Sequence, residues 1–255
     1  VRKRTEAQRT EALETGIYHG NALQLLKHLP PNSIDLLLTD PPYNTSKANN
    51  FHTMGRTGIN FSWDGGFDQV TWLRLADPAL RPGANVVIWN DWKNLGLIAA
   101  ALEQLGYDIK RDISWWKSNP MPRNIRRSMV QRNEHGFWAV KRGAKWTFNP
   151  EPGRPYEDGV YRYPIPRGSS GAGRERHETK KPDDMFRAII RLLSNPLDRV
   201  LDPFVGGGTA AYAAEAEGRR HISFELSAKW YAEARIHLLG APSVSAVDQL
   251  AQIAL

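Results

Sequence analysis

No cysteine occurs among the 255 residues. That absence excludes a disulfide framework, a thiolate metal site and catalysis through a cysteine nucleophile. Long apolar runs are missing as well, since nothing approaches the roughly 20 residues that a membrane-spanning helix needs. The opening segment, residues 1–16, is charged throughout and lacks the apolar centre of a secretory signal. These two absences predict a soluble, cytoplasmic protein without a membrane partner. Residue 1 is Val rather than Met, which points to processing or trimming. A further scarcity is local. Between Lys117 and Lys145 the only acid is Glu134, against eight basic residues (Lys117, Arg123, Arg126, Arg127, Arg132, Lys141, Arg142 and Lys145). That stretch alone accounts for the formal net charge of +7, so the rest of the chain is close to neutral. A localised basic patch is the electrostatic footprint of a polyanionic partner, whereas a merely solvated face carries interspersed acids.

In bulk composition, 41% hydrophobic and 24% charged, the chain is ordinary for a globular protein. Its length implies one or two domains and enough buried surface to dispense with metal or disulfide staples. The apolar run Ile34–Thr39 reads as a buried strand stopped by Pro41 and Pro42. Upstream, Asn21 followed by Gln24 resembles a capping pair for a helix over about 22–29. Residues 44–66, polar and rich in Gly and Asn, read as one long loop of the kind that is often functional. Helices are predicted over about 68–79 and 93–105, with strands over 84–89 and 107–117. The middle, residues 118–176, is rich in Pro, Arg and aromatics and offers one clear strand, 134–140. After Lys181, Pro182 with Asp183 and Asp184 opens a helix to about Leu193. A strand over 199–202, a helix over 209–217, a strand over 220–225 and a helix over 227–238 follow. Strands alternating with helices of this length predict an α/β fold around a largely parallel sheet.

Two patterns carry chemistry. The first is Leu201-Asp-Pro-Phe-Val-Gly-Gly-Gly-Thr-Ala-Ala211, a strand, a glycine turn and a helix start. Gly206, Gly208 and Ala211 have the spacing of a nucleotide-binding turn, where bare backbone and free helix N–H groups can approach a ligand. Glu225 ends the next strand nineteen residues on, where an acid can accept bonds from two ribose hydroxyls. A plain strand–turn–helix with structural glycines would look much the same. The second pattern is Asp40-Pro41-Pro42-Tyr43 at the carboxyl end of the Ile34–Thr39 strand, the edge where open α/β sheets bind ligands. It offers a carboxylate, a carbonyl and an aromatic face, which together suit a planar ring bearing an exocyclic amine. A proline-stiffened turn with a surface tyrosine is the competing reading.

Residues 16–240 resemble the amino DNA methyltransferases, which move a methyl group from S-adenosyl-L-methionine to a base nitrogen. Asp40-Pro41-Pro42-Tyr43 resembles their catalytic motif, and Asp202-Pro-Phe-Val-Gly-Gly-Gly-Thr209 their cofactor motif. The order is catalytic motif first, cofactor motif last and a basic variable region between, the circularly permuted arrangement of the β class. Gly20-Asn-Ala-Leu23, Trp116-Lys-Ser-Asn-Pro-Met-Pro122 and His177-Glu-Thr-Lys-Lys-Pro182 are further matches. The resemblance implies a Rossmann-like fold with a doubly wound sheet in one domain over 1–255. Within it, 16–118 would form the catalytic half, 119–176 a basic insert for target recognition, and 177–240 the cofactor half.

Roles follow from the same resemblance. Asp40 and the Pro41 carbonyl would hold the target amine, with Pro42 completing the turn and Tyr43 stacking on the base. Phe204 and Gly206 would border the cofactor, Glu225 its ribose, and Lys181 with Thr209 its methionine carboxylate; Asp202, Pro203 and Gly208 belong to the same motif. Asn21 stands where the family commonly has Asp, and either accepts from the cofactor's adenine amine or simply caps a helix. His177 reads as structural. No metal is needed for the transfer. Asp at the head of the catalytic motif favours adenine N6, with cytosine N4 as the alternative; cytosine C5 is excluded because it needs a thiolate. The amine lies inside a duplex, so the base must be flipped out of double-stranded DNA. Arg123, Arg126, Arg127, Arg132 and Lys141 would contact that DNA. Trp115, Trp116, Trp138 and Trp146 read as packing residues. The resemblance also implies a homodimer and allows a cognate restriction endonuclease as partner. A nicotinamide-dependent dehydrogenase would explain the glycine turn but not Asp40, and a non-catalytic DNA-binding module would explain only the basic segment.

Overall fold

The computed structural model describes residues 13–44, 66–122, 126–127, 129–154, 156–166 and 180–240. The chain runs β1 (Gly16–His19), α1 (Ala22–Leu25), β2 (Ile34–Thr39), α2 (Thr71–Ala76), β3 (Leu80–Asn90), α3 (Trp92–Gln104), β4 (Tyr107–Lys117) and β5 (Asn133–Lys141). It continues with β6 (Val160–Tyr163), α4 (Asp183–Leu193), β7 (Arg199–Asp202), α5 (Thr209–Ala216), β8 (Arg220–Glu225) and α6 (Ala228–Leu238). The strands form one sheet in the order β1-β8-β7-β2-β3-β5-β4-β6. From β1 to β3 every pairing is parallel, as the sequence predicts. Beyond β3 the sheet becomes mixed, because β5 runs antiparallel to both β3 and β4, while β6 rejoins β4 in parallel. The basic segment therefore threads a strand into the middle of the sheet.

Strand periodicity divides the apolar residues between two faces. Leu36 and Leu38 of β2 pack with Met185, Ile189 and Leu193 of α4 and with Ala210, Ala213 and Ala214 of α5. Leu37 faces the other way, against a cluster holding Trp72 and Ala76 of α2 and Ile98 and Leu102 of α3. Being covered on both faces explains why β2 reads as a continuous apolar run rather than an alternating one. The helix α5 is almost all alanine on its buried side, which lets it lie close to its neighbours. Gly208, just before it, has φ +85° and sits where an added Cβ would meet Ala234 of α6 at 3.0 Å, so glycine is needed twice over.

Two strands escaped the sequence reading. β1 and β6 have four residues each, lie at the two edges of the sheet and are only partly buried, so neither shows a clean apolar period. Two helices are shorter than predicted. α1 gives way to a 3₁₀ turn, Leu26–His28, and α2 to another, Asp77–Ala79, with Pro78 near its start. β3 starts earlier than predicted, at Leu80.

Candidate active site

The parallel strands all end at one edge, and the turns that follow them carry both chemical patterns. Asp40 follows β2, Asp202 closes the adjacent β7, and Glu225 closes β8 beyond it. The tetrad Asp40–Tyr43 is braced from two sides. Gln69 Nε2 donates to the Pro42 carbonyl at 2.6 Å, and Asn94 Nδ2 of α3 donates to the Tyr43 carbonyl at 2.8 Å. Asn90 at the end of β3 links the braces, donating to Gln69 Oε1 at 3.1 Å and accepting from Asn94 at 2.7 Å.

Lys181 enters this turn from the segment before α4, with its side chain only 3% exposed. Its Nζ lies 2.5 Å from Asp40 Oδ2, 3.0 Å from the Tyr43 hydroxyl and 2.9 Å from Glu134 Oε2. An ammonium has three N–H donors, and three oxygens take them. Glu134, on β5, offers its other oxygen to Lys117 of β4 at 2.7 Å. The result is a chain of alternating charge, Lys117, Glu134, Lys181 and Asp40, buried at Lys181 and part-buried at the other three. Burial pushes the Asp40 carboxyl above its ordinary range, and the neighbouring Lys181 pulls it back without cancelling the rise. For Glu134 the balance tips the other way: burial opposes its charge, but Lys181 and Lys117 outweigh it and hold the group low. Burial likewise opposes the Lys181 cation, and Asp40 and Glu134 together overcome it, raising its pKa. Asp40 Oδ1 is buried and makes no hydrogen bond among the described residues.

The glycine turn lies one and two strands away. Asp202 Oδ1 accepts from the Thr39 hydroxyl at 2.7 Å and from the Phe204 amide at 3.0 Å. Burial pushes the Asp202 carboxyl up to about 7. Glu225 Oε2 accepts from the Gly206 amide at 3.0 Å and Oε1 from the Ser227 amide at 2.8 Å. The Leu226 amide also bonds this carboxylate, which, with about four lone pairs, still has capacity for a ligand hydroxyl. Phe204 packs edge-on against Trp72 and Phe67, with ring centroids 5.3 Å apart in each pair, giving the turn an apolar wall. An acid with spare lone pairs, an apolar wall and a glycine turn fit a ribose, a flat base and a charged tail.

The DNA methylase family, defined by N6 and N4 modification, matches this chain over residues 34–235. The chain belongs to that family. Among its curated relatives is the type II methyltransferase M2.DpnII of Streptococcus pneumoniae, 30% identical over 240 residues that cover 87% of this chain and 88% of the relative. Another is the type II methyltransferase M2.LlaDCHI of Lactococcus lactis subsp. cremoris, 29% identical over 82% of this chain and 83% of the relative. Among solved structures, the M1.HpyAVI–SAM complex is 32% identical, with a TM-score of 0.70 covering 88% of this chain and 98% of that one. The cytosine-N4-specific PvuII methyltransferase, 18% identical with a TM-score of 0.69, shares the fold.

In this DNA methylase the structure brings together Asp40, Pro41, Pro42 and Tyr43 with Lys181, and separately Asp202, Pro203, Phe204, Gly206, Gly208, Thr209 and Glu225, all at one sheet edge. Lys181, read from the sequence together with Thr209, gives its three donors here to Asp40, the Tyr43 hydroxyl and Glu134. Asn21 takes the cap role, its Oδ1 accepting from the Leu23 amide at 2.9 Å. Lys141 is spent within the fold: it pairs with Asp77 at 2.9 Å and donates to the Asp77 and Leu80 carbonyls, closing the 3₁₀ turn. Lys117 with Glu134 and Arg142 with Asp108 are also paired, so acids on neighbouring strands offset part of the basic run. Arg126, Arg127 and Arg132 are exposed, and Arg132 lies 4.9 Å from the Trp116 ring. Arg123, His177 and most of the 44–66 loop lie outside the described residues. Trp115 and Trp138 are packing residues whose indole N–H groups are bonded to Tyr163 O and Asn85 Oδ1. Trp146 is more exposed, with Lys110 over its ring. Sequence reasoning missed Glu134, Gln69, Asn90 and Asn94. The first had a signal, being the single acid of a basic stretch; the others became visible only when the strands were assembled.

Proposed function

We propose that this DNA methylase transfers a methyl group from S-adenosyl-L-methionine to the N6 amine of an adenine flipped out of double-stranded DNA. The observation that carries this reading is Asp40: a carboxylate with one buried, unpartnered oxygen, in the turn that follows the strand next to the one that opens the glycine turn. Asp40 Oδ1 and the Pro41 carbonyl would accept the two N–H bonds of the amine, keeping its lone pair available for attack. Tyr43 supplies a ring face beside them. When bound, S-adenosyl-L-methionine supplies an electrophilic methyl group on a cationic sulfur, which leaves as a neutral thioether. The ribose belongs at Glu225, the adenine ring beside Phe204, and the methionine end at the amides around Gly206, Gly208 and Thr209. As the amine becomes methylated it must shed one proton. Asp40, whose pKa burial has raised, is suited to take that proton and pass it to water. Positioning and electrostatics carry the step, and flipping the base costs about a few kcal/mol, repaid by contacts in the pocket.

Arg126, Arg127 and Arg132, all exposed, would meet the DNA phosphates, together with Arg123. No helix among the described residues is long and apolar enough to cross a membrane. A cytoplasmic location, a homodimer and a cognate restriction endonuclease complete the reading and rest on the family resemblance; light scattering decides the dimer. The test of activity is incubation of unmethylated genomic DNA with the protein and labelled S-adenosyl-L-methionine, followed by sequencing that reports modified bases. N6-methyladenine in a fixed sequence context is expected. N4-methylcytosine would overturn the choice of base, and no incorporation would overturn the activity.

A further inference from the structure

Lys181 shares the carboxylate that the proposed reaction needs, holding Oδ2 while Oδ1 is left for the amine. Its nitrogen, carrying N–H donors, sits 2.5 Å from the catalytic carboxylate and 3.0 Å from the Tyr43 hydroxyl. An incoming exocyclic amine is also a nitrogen with N–H donors that seeks Asp40. While Lys181 holds Asp40, the carboxylate's negative charge is spent on the ammonium and is less able to enrich the amine. For the amine to take a full share of Asp40, Lys181 must loosen its hold there, and a buried cation without an anion is costly.

The fold supplies a second anion for the same nitrogen. Glu134 Oε2 is 2.9 Å from Lys181 Nζ, and the opposite oxygen of that carboxylate is fixed by Lys117 at 2.7 Å. Glu134 and Lys117 stand on β5 and β4, paired strands in which Trp115 lies opposite Glu134 and Trp116 opposite Asn133. Glu134 is thus held in the β4–β5 ladder, and the Lys117 amide donates to the Arg132 carbonyl at 2.9 Å. Asp40, by contrast, lies in the turn past β2, and Lys181 in the segment ahead of α4. One partner of Lys181 is mounted on the sheet and the other on a turn. Lys117 alone would explain why Glu134 is tolerated in the interior, but not why its second oxygen reaches the lysine at the catalytic carboxylate.

We propose that Glu134 is a positioning residue for methyl transfer: it retains the Lys181 ammonium while the target amine, on Oδ1, draws on the charge of Asp40. This deepens the proposed function and rests on it. Glu134 acts through Lys181 and touches neither the base nor the cofactor turn. Without its charge, Lys181 has Asp40 as its remaining anionic partner and stays locked there, so the step that suffers is transfer itself and not assembly of the complex.

The test is single-turnover methylation of unmethylated DNA with DNA and labelled S-adenosyl-L-methionine both saturating, comparing the native enzyme with Glu134→Gln. A transfer rate at least about tenfold lower is expected, with cofactor Kd and DNA KM within about threefold of native. An unchanged rate would overturn the proposal, as would a loss explained wholly by weaker cofactor or DNA binding. Glu134→Asp is measured in parallel, because Gln also removes the charge that holds Lys117 and so bears on folding. The shorter carboxylate still faces Lys117 on the neighbouring strand but retracts from Lys181. Its transfer rate is expected to fall between those of the native and Gln enzymes, or several-fold below native should the Gln variant not fold; a native rate in a folded Asp variant would refute the link to Lys181. If the native enzyme itself methylates no DNA, the proposed function fails, and that outcome is distinct from a native enzyme whose Glu134 variants are equally fast.

Discussion

Replacing Lys181 with Met keeps the length of the side chain and deletes one charge from the interior. In the native protein two carboxylates, Asp40 and Glu134, face that ammonium at 2.5 and 2.9 Å. Removing it leaves Glu134 with Lys117 alone and leaves Asp40 buried beside another acid. Breaking a buried ion pair from one side costs about 3–5 kcal/mol. At about 2–4 °C per kcal/mol for a chain near this size, the loss corresponds to a fall in Tm on the order of 10 °C. The pH dependence sharpens the test. Lys181 has a raised pKa in the folded state, so its stabilising contribution is complete below the unfolded lysine pKa and is lost only in strong alkali. Glu134 is held low, so its contribution is present at neutral pH and is lost as the pH falls through its folded value. In Lys181→Met the uncompensated carboxylates are relieved by protonation. The gap between variant and native should therefore be widest at pH 7–8 and narrow toward pH 5. Urea unfolding followed by tryptophan fluorescence at both pH values measures it. A gap under about 1 kcal/mol, or one that does not change with pH, would refute the charge-chain account of this site.

Asp40→Ala should lower methyl transfer by about 10²–10³-fold, the loss expected for a central electrostatic group, while DNA binding in a gel-shift assay stays close to native. Asp202 has its folded pKa raised to about 7 by burial, so its ionisation lowers stability as the pH rises through the acidic range toward that value. Asp202→Asn, which can still accept from Thr39 and Phe204, should flatten the stability profile between about pH 4 and 7 in chemical denaturation. Arg126→Ala combined with Arg127→Ala should weaken DNA binding across all sequences and reduce the salt slope of log K by about 2, whereas Lys141→Ala should leave that slope alone and cost stability.

The two motifs were legible in the sequence because each is a contiguous stretch: a strand, a turn of fixed chemistry and the start of the next element. Strand β2 announced itself by being apolar on both faces, and α4 by proline and two acids at its start. Legibility failed where the cause was not local. The edge strands β1 and β6 are too short and too exposed to carry a period. Charge counting along the chain overstated the basic patch, since the acids that answer Lys141 and Arg142 stand on other elements.

By itself, then, the order of residues determined the alternating strands and helices, the glycine turn and the Asp40–Tyr43 tetrad, because those depend on neighbours a few positions apart. Only the assembled sheet decided what the lysine ahead of α4 does. Asp40, Glu134 and Lys181 lie far apart along the chain, and each is ordinary where it stands. Placing both acids within 3 Å of the buried Lys181 ammonium turns the three into a single electrostatic unit, since ion pairing depends on distance in space and not on separation in sequence.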